Sequence, residues 1–357
     1  MQRTPYLYEK FAASGARLGE YRGVETAASF GDPAAEYAAL RDRCGLFDLA
    51  WRAGFTVRGE DRVRWLNGMV TNNVRDLPVN NGVYSFLLSP QGRILGDMVV
   101  FNCGDHLRVE TDAEQAPKLR ELLDKFIIMD DVELGEADPV CCIGLEGPQS
   151  GEVLRLASVA PGDLQPLEMC TIEHPRFSCT LIRSRSASGY EAWLAPESAA
   201  AAWDALLAAG ATPVGFESLE IRRVAQGMPR YGLDIRERDL PQETEQHQAL
   251  NFTKGCYVGQ EIVERIHSRG NVHRSFTAFS VDGPPPERGA KIIFGDKEAG
   301  EVTSATAVPA LSASDPPRTI ALGYVRREAL AAGTELRIGA ARAQPVRAAE
   351  ELAGTRP

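Results

Sequence analysis

The chain has 357 residues, 44% of them hydrophobic and 25% charged, with a formal net charge of -10. That length exceeds what one compact core holds and points to two or three domains. The acidic balance excludes broad nucleic-acid binding, which needs a basic face, and the absence of any run of about 18 apolar residues excludes a membrane-spanning helix.

The first residues mix Arg3, Glu9, Lys10, Arg17 and Glu20 without an apolar core. This is not the pattern of a secretory signal, and it is too acidic for a transit peptide. Seven cysteines (44, 103, 141, 142, 170, 179 and 256) form no CxxC pair. Cys141 and Cys142 sit side by side in an apolar run and read as buried strand thiols. Such usage fits a reducing compartment, and a cytoplasmic location is expected, with neither a disulfide framework nor a zinc site. The five histidines show no metal-ligand spacing.

In chain order, Asp32-Pro33 followed by AAEYAALRDR predicts an N-cap, a proline at the first helical position and a helix stopped by Gly45. A strand is expected at 55–58 and a helix at 61–70 with Val63, Leu66, Met69 and Val70 on one side. Strands at 83–88 and 94–101 are joined by a turn at Ser89-Pro90-Gln91-Gly92. Leu119, Leu122, Leu123, Phe126 and Ile127 mark a second helix, and 140–145 another strand. The order is βαββαβ, the split arrangement of ferredoxin-like domains. It recurs in a helix near 152–156, strands at 177–183 and 190–194, and a helix at 197–209. An extended Pro213-Val214 and a helix at 217–226 complete the second set. After residue 274 short β-rich pieces (SFTAFSV, AKIIF, GEVTSA, TIALGYV) between Gly, Pro and Asp suggest a small antiparallel barrel. Turns are expected at 282–286 and 312–317, and a frayed tail at 348–357.

The densest chemistry lies in Lys254-Gly255-Cys256-Tyr257-Val258-Gly259-Gln260-Glu261. A thiolate is useful where something lowers its pKa, and both Lys254 and a helix start at 259–261 are placed to do so. Gly255 and Gly259 let backbone N–H groups approach an anion. Glu261 offers a simple cap, and the plain alternative is a turn with a half-buried cysteine. In Ser188-Gly189-Tyr190-Glu191 a carboxylate beside an aromatic ring can accept N–H donors of a planar heterocycle while the ring packs on it, or it is an ordinary turn. Asp97 lies inside an apolar strand and is either inward and functional or solvent-facing. Arg222-Arg223 offers a carboxylate clamp or a solvated helix face. Arg265, His267, Arg269, His273 and Arg274 form the one local basic stretch. P-loop and GxSxG motifs are absent, leaving nucleotide hydrolysis and serine chemistry unsupported.

Together these segments resemble the folate-binding superfamily of glycine-cleavage T-proteins, the aminomethyltransferases. CGLFDLAWRAGFTVRGEDRVRWLNGMVTNN, GVYSFLLSPQGRILGDMVVF, SASGYEAWL, LEIRRVAQGMPRYGLDI and GEVTSATAVPALSASDPPRTIALGYV fall in the family's order. KGCYVGQE is similar to the signature of the YgfZ-type branch. The resemblance implies an α+β fold in which three domains form a ring: two ferredoxin-like βαββαβ domains plus a C-terminal antiparallel β-barrel. The expected divisions are 1–52 with 139–230, 53–138 with 231–273, and 274–357. It also implies tetrahydrofolate, or a one-carbon derivative, as ligand. Glu191 would take the pterin N–H edge, Arg223 would orient the folate, and Tyr84, Tyr190 and Asp97 would line its pocket. Cys256, Lys254 and Asp97 would carry the chemistry. For the YgfZ-type branch the implied role is iron–sulfur cluster assembly or repair in client enzymes, with links to tRNA modification and with client or assembly proteins as partners. T-proteins carry two adjacent acids where this chain has Gly96-Asp97, and an acid where it has Ala225. They also lack the cysteine octet. Aminomethyl transfer and a ligand-free interaction scaffold are the rival expectations.

Overall fold

The computed structural model describes residues 6–137, 139–186, 188–270, 272–310, 318–331 and 335–346. These form two compact units, one of the described residues up to Ser85 with Met98–Leu219, the other of Phe86–Asp97 with the described residues from Glu220 onward. The expected turn at 312–317 and tail at 348–357 lie outside the described residues.

The early helix runs Pro33–Asp42, and the Asp32 side chain accepts from the Ala34 N–H as its N-cap. Asp32 thus satisfies one of the orphan first-turn donors, while Pro33 supplies a preset φ. Next comes a five-stranded sheet with spatial order Gly82–Leu88, Ile94–Asn102, Leu107–Asp112, Arg52–Arg58, Glu133–Glu136. Two of its strands differ from the sequence expectation. Leu107–Asp112 was not anticipated, and the strand closing the motif is Glu133–Glu136 rather than 140–145. The extra strand makes the Arg52–Arg58 pairing with Leu107–Asp112 antiparallel.

Cys141–Glu146 instead lies in a six-stranded sheet of order Met169–His174, Phe177–Arg183, Gly189–Leu194, Cys141–Glu146, Gly45–Asp48, Thr212–Pro213. Its central strands Cys141–Glu146 and Gly45–Asp48 are buried on both faces. On one side Ile143, Leu145, Leu181, Ala192 and Leu194 pack with Phe11, Val153, Leu154, Trp203 and Leu206 from three helices. Side chains alternate along a strand, so Cys142, Glu191 and Trp193 take the other side, where Trp193 meets Phe101 edge-on at 5.1 Å.

After residue 274 the small barrel is closed, in the order Arg274–Val281, Arg318–Arg326, Lys297–Val308, Lys291–Phe294, Leu336–Ile338, Ala341–Val346. The last of these pairs back to the first, so no edge is left unpaired. Phe279, Val281, Ile292, Val302, Val325, Leu336 and Ile338 fill it. The fold is therefore mixed α/β with a C-terminal antiparallel barrel.

One buried acid makes stability pH-dependent. Asp48 accepts from Thr26 Oγ1 at 2.8 Å, and burial pushes its carboxyl up to about 7. Its folded pKa lies above the unfolded value of about 4, so the folded state holds the extra proton between them. This contribution is full below about pH 4 and lost as pH rises through about 7. Urea unfolding free energies are expected to fall between about pH 5 and 8, and to fall less in Asp48→Asn. An identical fall in both proteins would contradict this origin.

Candidate functional site

The first unit holds the expected ligand residues Glu191, Tyr190 and Tyr84. Glu191 is on the strand Gly189–Leu194, with its side chain 22% exposed. Arg52 Nη2 lies 3.6 Å from Glu191 Oε2. Burial works against the charge of Arg52, but Glu191, Glu110 and Asp112 outweigh it and hold the guanidinium above its ordinary pKa. Tyr190 does not share this site. As the next residue along an extended strand it points to the opposite face, where it packs against the helix-side core beneath the Arg183 guanidinium, 4.5 Å from its ring. The expected sharing of one ligand by the Glu191 carboxylate and the Tyr190 ring is thus not what the strand presents; beside Glu191 stands Arg52. Tyr84 is buried, with the Arg185 guanidinium 3.6 Å over its ring.

Five charged residues of this site escaped the sequence reading, Arg52 and four others. Arg108 Nε donates to Glu110 Oε1 at 2.5 Å, and its guanidinium stacks 4.6 Å over Trp193. Arg22 holds Asp112 through both carboxylate oxygens at 2.9 and 2.8 Å. The available signal was the alternation in Leu107-Arg108-Val109-Glu110-Thr111-Asp112, a strand pattern with charges on one face.

In the second unit Asp97 is part-buried at the start of the strand Ile94–Asn102. That start is anchored by Ile94 N–H to the Asp239 carbonyl at 3.2 Å and by Tyr231 Oη to the Leu95 carbonyl at 2.6 Å. Arg223, expected to grip a ligand, is engaged internally. Its guanidinium donates to Glu220, to the Met228 carbonyl at 2.9 Å, to Asp234 at 2.6 Å and to Ser304 at 3.0 Å. Asp234 is fully buried and also accepts from Thr303, Ser304 and the Arg230 N–H. A buried carboxylate needs such a set of donors, so here Arg223 first serves to hold the end of its helix to the barrel.

The octet begins on an Asn251 side chain that accepts from Thr253 and Lys254 N–H at 2.9 and 2.8 Å. This Asx turn, readable from Asn251-Phe252-Thr253, fixes the loop. Lys254 is buried, and its ammonium sits 5.0 Å from the Tyr257 ring centroid. Burial pushes the Tyr257 hydroxyl up to about 12, which keeps it neutral. The helix starts at Gln260. The reach back from its first turn comes from Gln260 Oε1, which accepts from the Tyr257 N–H at 3.3 Å, while Glu261 stays exposed instead of capping. Gly259 has φ of +82°, and a Cβ there would stand 2.5 Å from the Ser89 carbonyl oxygen. A Cβ on Gly92 would likewise meet Ile262 Cβ at 2.8 Å. The octet and the Ser89–Gly92 turn, separate in sequence, are pressed together through two glycines.

This leaves Cys256 as the one exposed cysteine of the seven. Burial raises the thiol pKa of the other six, Cys44, Cys103, Cys141, Cys142, Cys170 and Cys179, the last to about 12.

The first unit thus holds a part-buried carboxylate opposite a loosely held arginine, and the second presents a thiol. Comparison with known proteins shows the family. Residues 7–254 match the GCVT N-terminal domain, and residues 274–351 match the glycine cleavage T-protein C-terminal barrel domain. The chain belongs to this glycine-cleavage T-protein family. It is 30% identical to an aminomethyltransferase of Rubrobacter xylanophilus, over 92% of this chain and 88% of that protein. An aminomethyltransferase of Symbiobacterium thermophilum is 26% identical over 95% and 93%. The crystal structure of glycine cleavage system aminomethyltransferase T from Bartonella henselae matches with a TM-score of 0.84 over 97% of both chains at 22% identity, a likeness of fold.

Two outcomes test the loop's description. Brief alkylation of the native protein should label Cys256 alone, read by peptide mass spectrometry, and labelling spread over several cysteines would contradict it. Gly259→Ala forces a side chain into a left-handed, crowded position and should cost about 1–3 kcal/mol in chemical unfolding. No loss would show that the turn contact does not hold the loop.

Proposed function

We propose that the chain is a tetrahydrofolate-binding protein whose folate site serves iron–sulfur cluster assembly or repair in client enzymes, with Cys256 in a redox or transient-ligand role. The observation that carries the ligand is the Glu191 carboxylate, part-buried and only loosely paired with Arg52 at 3.6 Å. A carboxylate accepts two parallel N–H donors, and the amino-lactam edge of a pterin presents such a pair. The residues present therefore fit the group. Glu191 would fix the ring, and Tyr84 would line the pocket near it. Bound tetrahydrofolate would supply a one-carbon acceptor or donor.

The exposed Cys256 on a loop fixed by Asn251, Gly259 and Gln260 supports the assembly role. Lys254 anchors that loop under Tyr257. Gly96 and Ala225, standing where T-proteins carry acids, weaken the case for aminomethyl transfer, because such transfer needs a carboxylate to steer the proton at the reacting nitrogen. A second reading, an aminomethyltransferase, has better support from the comparisons than the assembly role has, because the relatives carry that name; in it Asp97 would be that carboxylate.

Calorimetric titration should give saturable tetrahydrofolate binding, weakened about tenfold or more in Glu191→Ala. No saturable binding by the wild type would remove the folate reading and favour a scaffold. With an aminomethyl-loaded lipoyl carrier the first reading expects no sustained methylene-tetrahydrofolate formation, whereas robust turnover makes the second reading right. Cys256→Ala should fail to restore iron–sulfur enzyme activity in a deletion strain, and full restoration would sink the cysteine's role.

A further inference from the structure

Three arginine–carboxylate pairs lie together in the first unit, and they are not equivalent. Arg22–Asp112 is closed at 2.8 and 2.9 Å, and Arg108–Glu110 at 2.5 Å. Arg52–Glu191 is open at 3.6 Å, with side chains 19% and 22% exposed. Arg52 Nε is buried and has no hydrogen-bond partner among the described residues, and neither has Glu110 Oε2. A guanidinium in that state is an uncommon expense of dehydration unless something completes its donors. Glu110 and Asp112 interact with Arg52 electrostatically, but neither accepts a hydrogen bond from its Nε. The open pair thus presents a carboxylate acceptor and, beside it, a part-exposed guanidinium whose Nη2 stands 3.6 Å from that carboxylate.

A ligand edge that complements this pattern carries N–H donors next to a carbonyl oxygen. We propose that Arg52 is a specificity-determining residue of this site, donating to the ring carbonyl adjacent to the N–H edge accepted by Glu191. The site then selects a 2-amino-4-oxo pyrimidine ring over its 2,4-diamino counterpart. In the diamino ring the carbonyl is replaced by an amino group, which sets donor against donor at Arg52. A site built to hydrogen-bond one group rejects the analogue lacking it, because its own buried polar atoms are left unpaired. Arg52 keeps its charge in either case, since Glu110 and Asp112 lie within its electrostatic reach.

This inference rests on the folate reading, and the test separates the two. Binding of tetrahydrofolate and of its 4-amino analogue, reduced aminopterin, is measured for the wild type, Arg52→Met and Arg52→Gln, each checked for folding by circular dichroism. Glu191 contributes to the preference as well, so the informative quantity is the change in the affinity ratio on mutation, a ligand–residue double-mutant cycle. The wild type should prefer the oxo ligand, and Arg52→Met should shrink that preference about tenfold. Arg52→Gln keeps an N–H donor and should retain part of it. Binding of the p-aminobenzoyl-glutamate fragment, which lacks the ring, should not change in either variant. An unchanged oxo/amino ratio in a folded Arg52→Met, with wild-type tetrahydrofolate binding intact, overturns the role of Arg52 and leaves the folate reading standing. No wild-type binding of tetrahydrofolate overturns both.

Discussion

Three arginines and three carboxylates share the interior of the first unit, and their mutual pairing is the constraint on which its site depends. Charges removed from water cost several kcal/mol each unless paired and hydrogen-bonded, and stripping one partner from a buried pair costs about 3–5 kcal/mol. Arg22, Arg108 and Arg52 against Asp112, Glu110 and Glu191 balance in number. The cluster explains why Leu107–Asp112 can be a buried strand although half its side chains are ionic. It also places Glu191 opposite an arginine at 3.6 Å. Two pairs close on themselves, and the third stays open at 3.6 Å.

The second unit applies the same rule to a different end. Asp234, fully buried, gathers Arg223, the Arg230 N–H, Thr303 and Ser304, so one carboxylate ties a helix end and a loop to a barrel strand. Nearby stretches of chain are then fixed by backbone and glycine contacts rather than by apolar bulk. The octet rests on the Ser89–Gly92 turn because neither Gly259 nor Gly92 carries a Cβ. A thiol on such a loop is exposed and held in place at once, the combination that redox or transient-ligand chemistry requires.

Much of this was legible in the sequence where local rules act alone. The Asp32 cap, the Ser89–Gly92 turn and the closed barrel follow from capping, turn chemistry and short alternating strands. Leu107–Asp112 was missed because its Arg108, Glu110 and Asp112 interrupt the apolar signal, and their burial depends on partners distant in sequence. The same gap hid Arg52, whose meaning comes only from Glu191 across the unit. Tyr190 and Glu191, adjacent in sequence, were grouped by chemistry when the strand's period of two separates them. Arg223 looked like a ligand clamp because nothing local announces Asp234, eleven residues on, as its buried counter-charge.

The central proposal is that a folate-type ring is held at the open Arg52–Glu191 pair. A crystal structure of the protein with tetrahydrofolate tests it most directly. The account predicts the ring's N–H edge on the Glu191 carboxylate with its carbonyl facing Arg52, while Arg22–Asp112 and Arg108–Glu110 stay closed. Tetrahydrofolate bound elsewhere, with Arg52 and Glu191 facing no ligand atom, would contradict it.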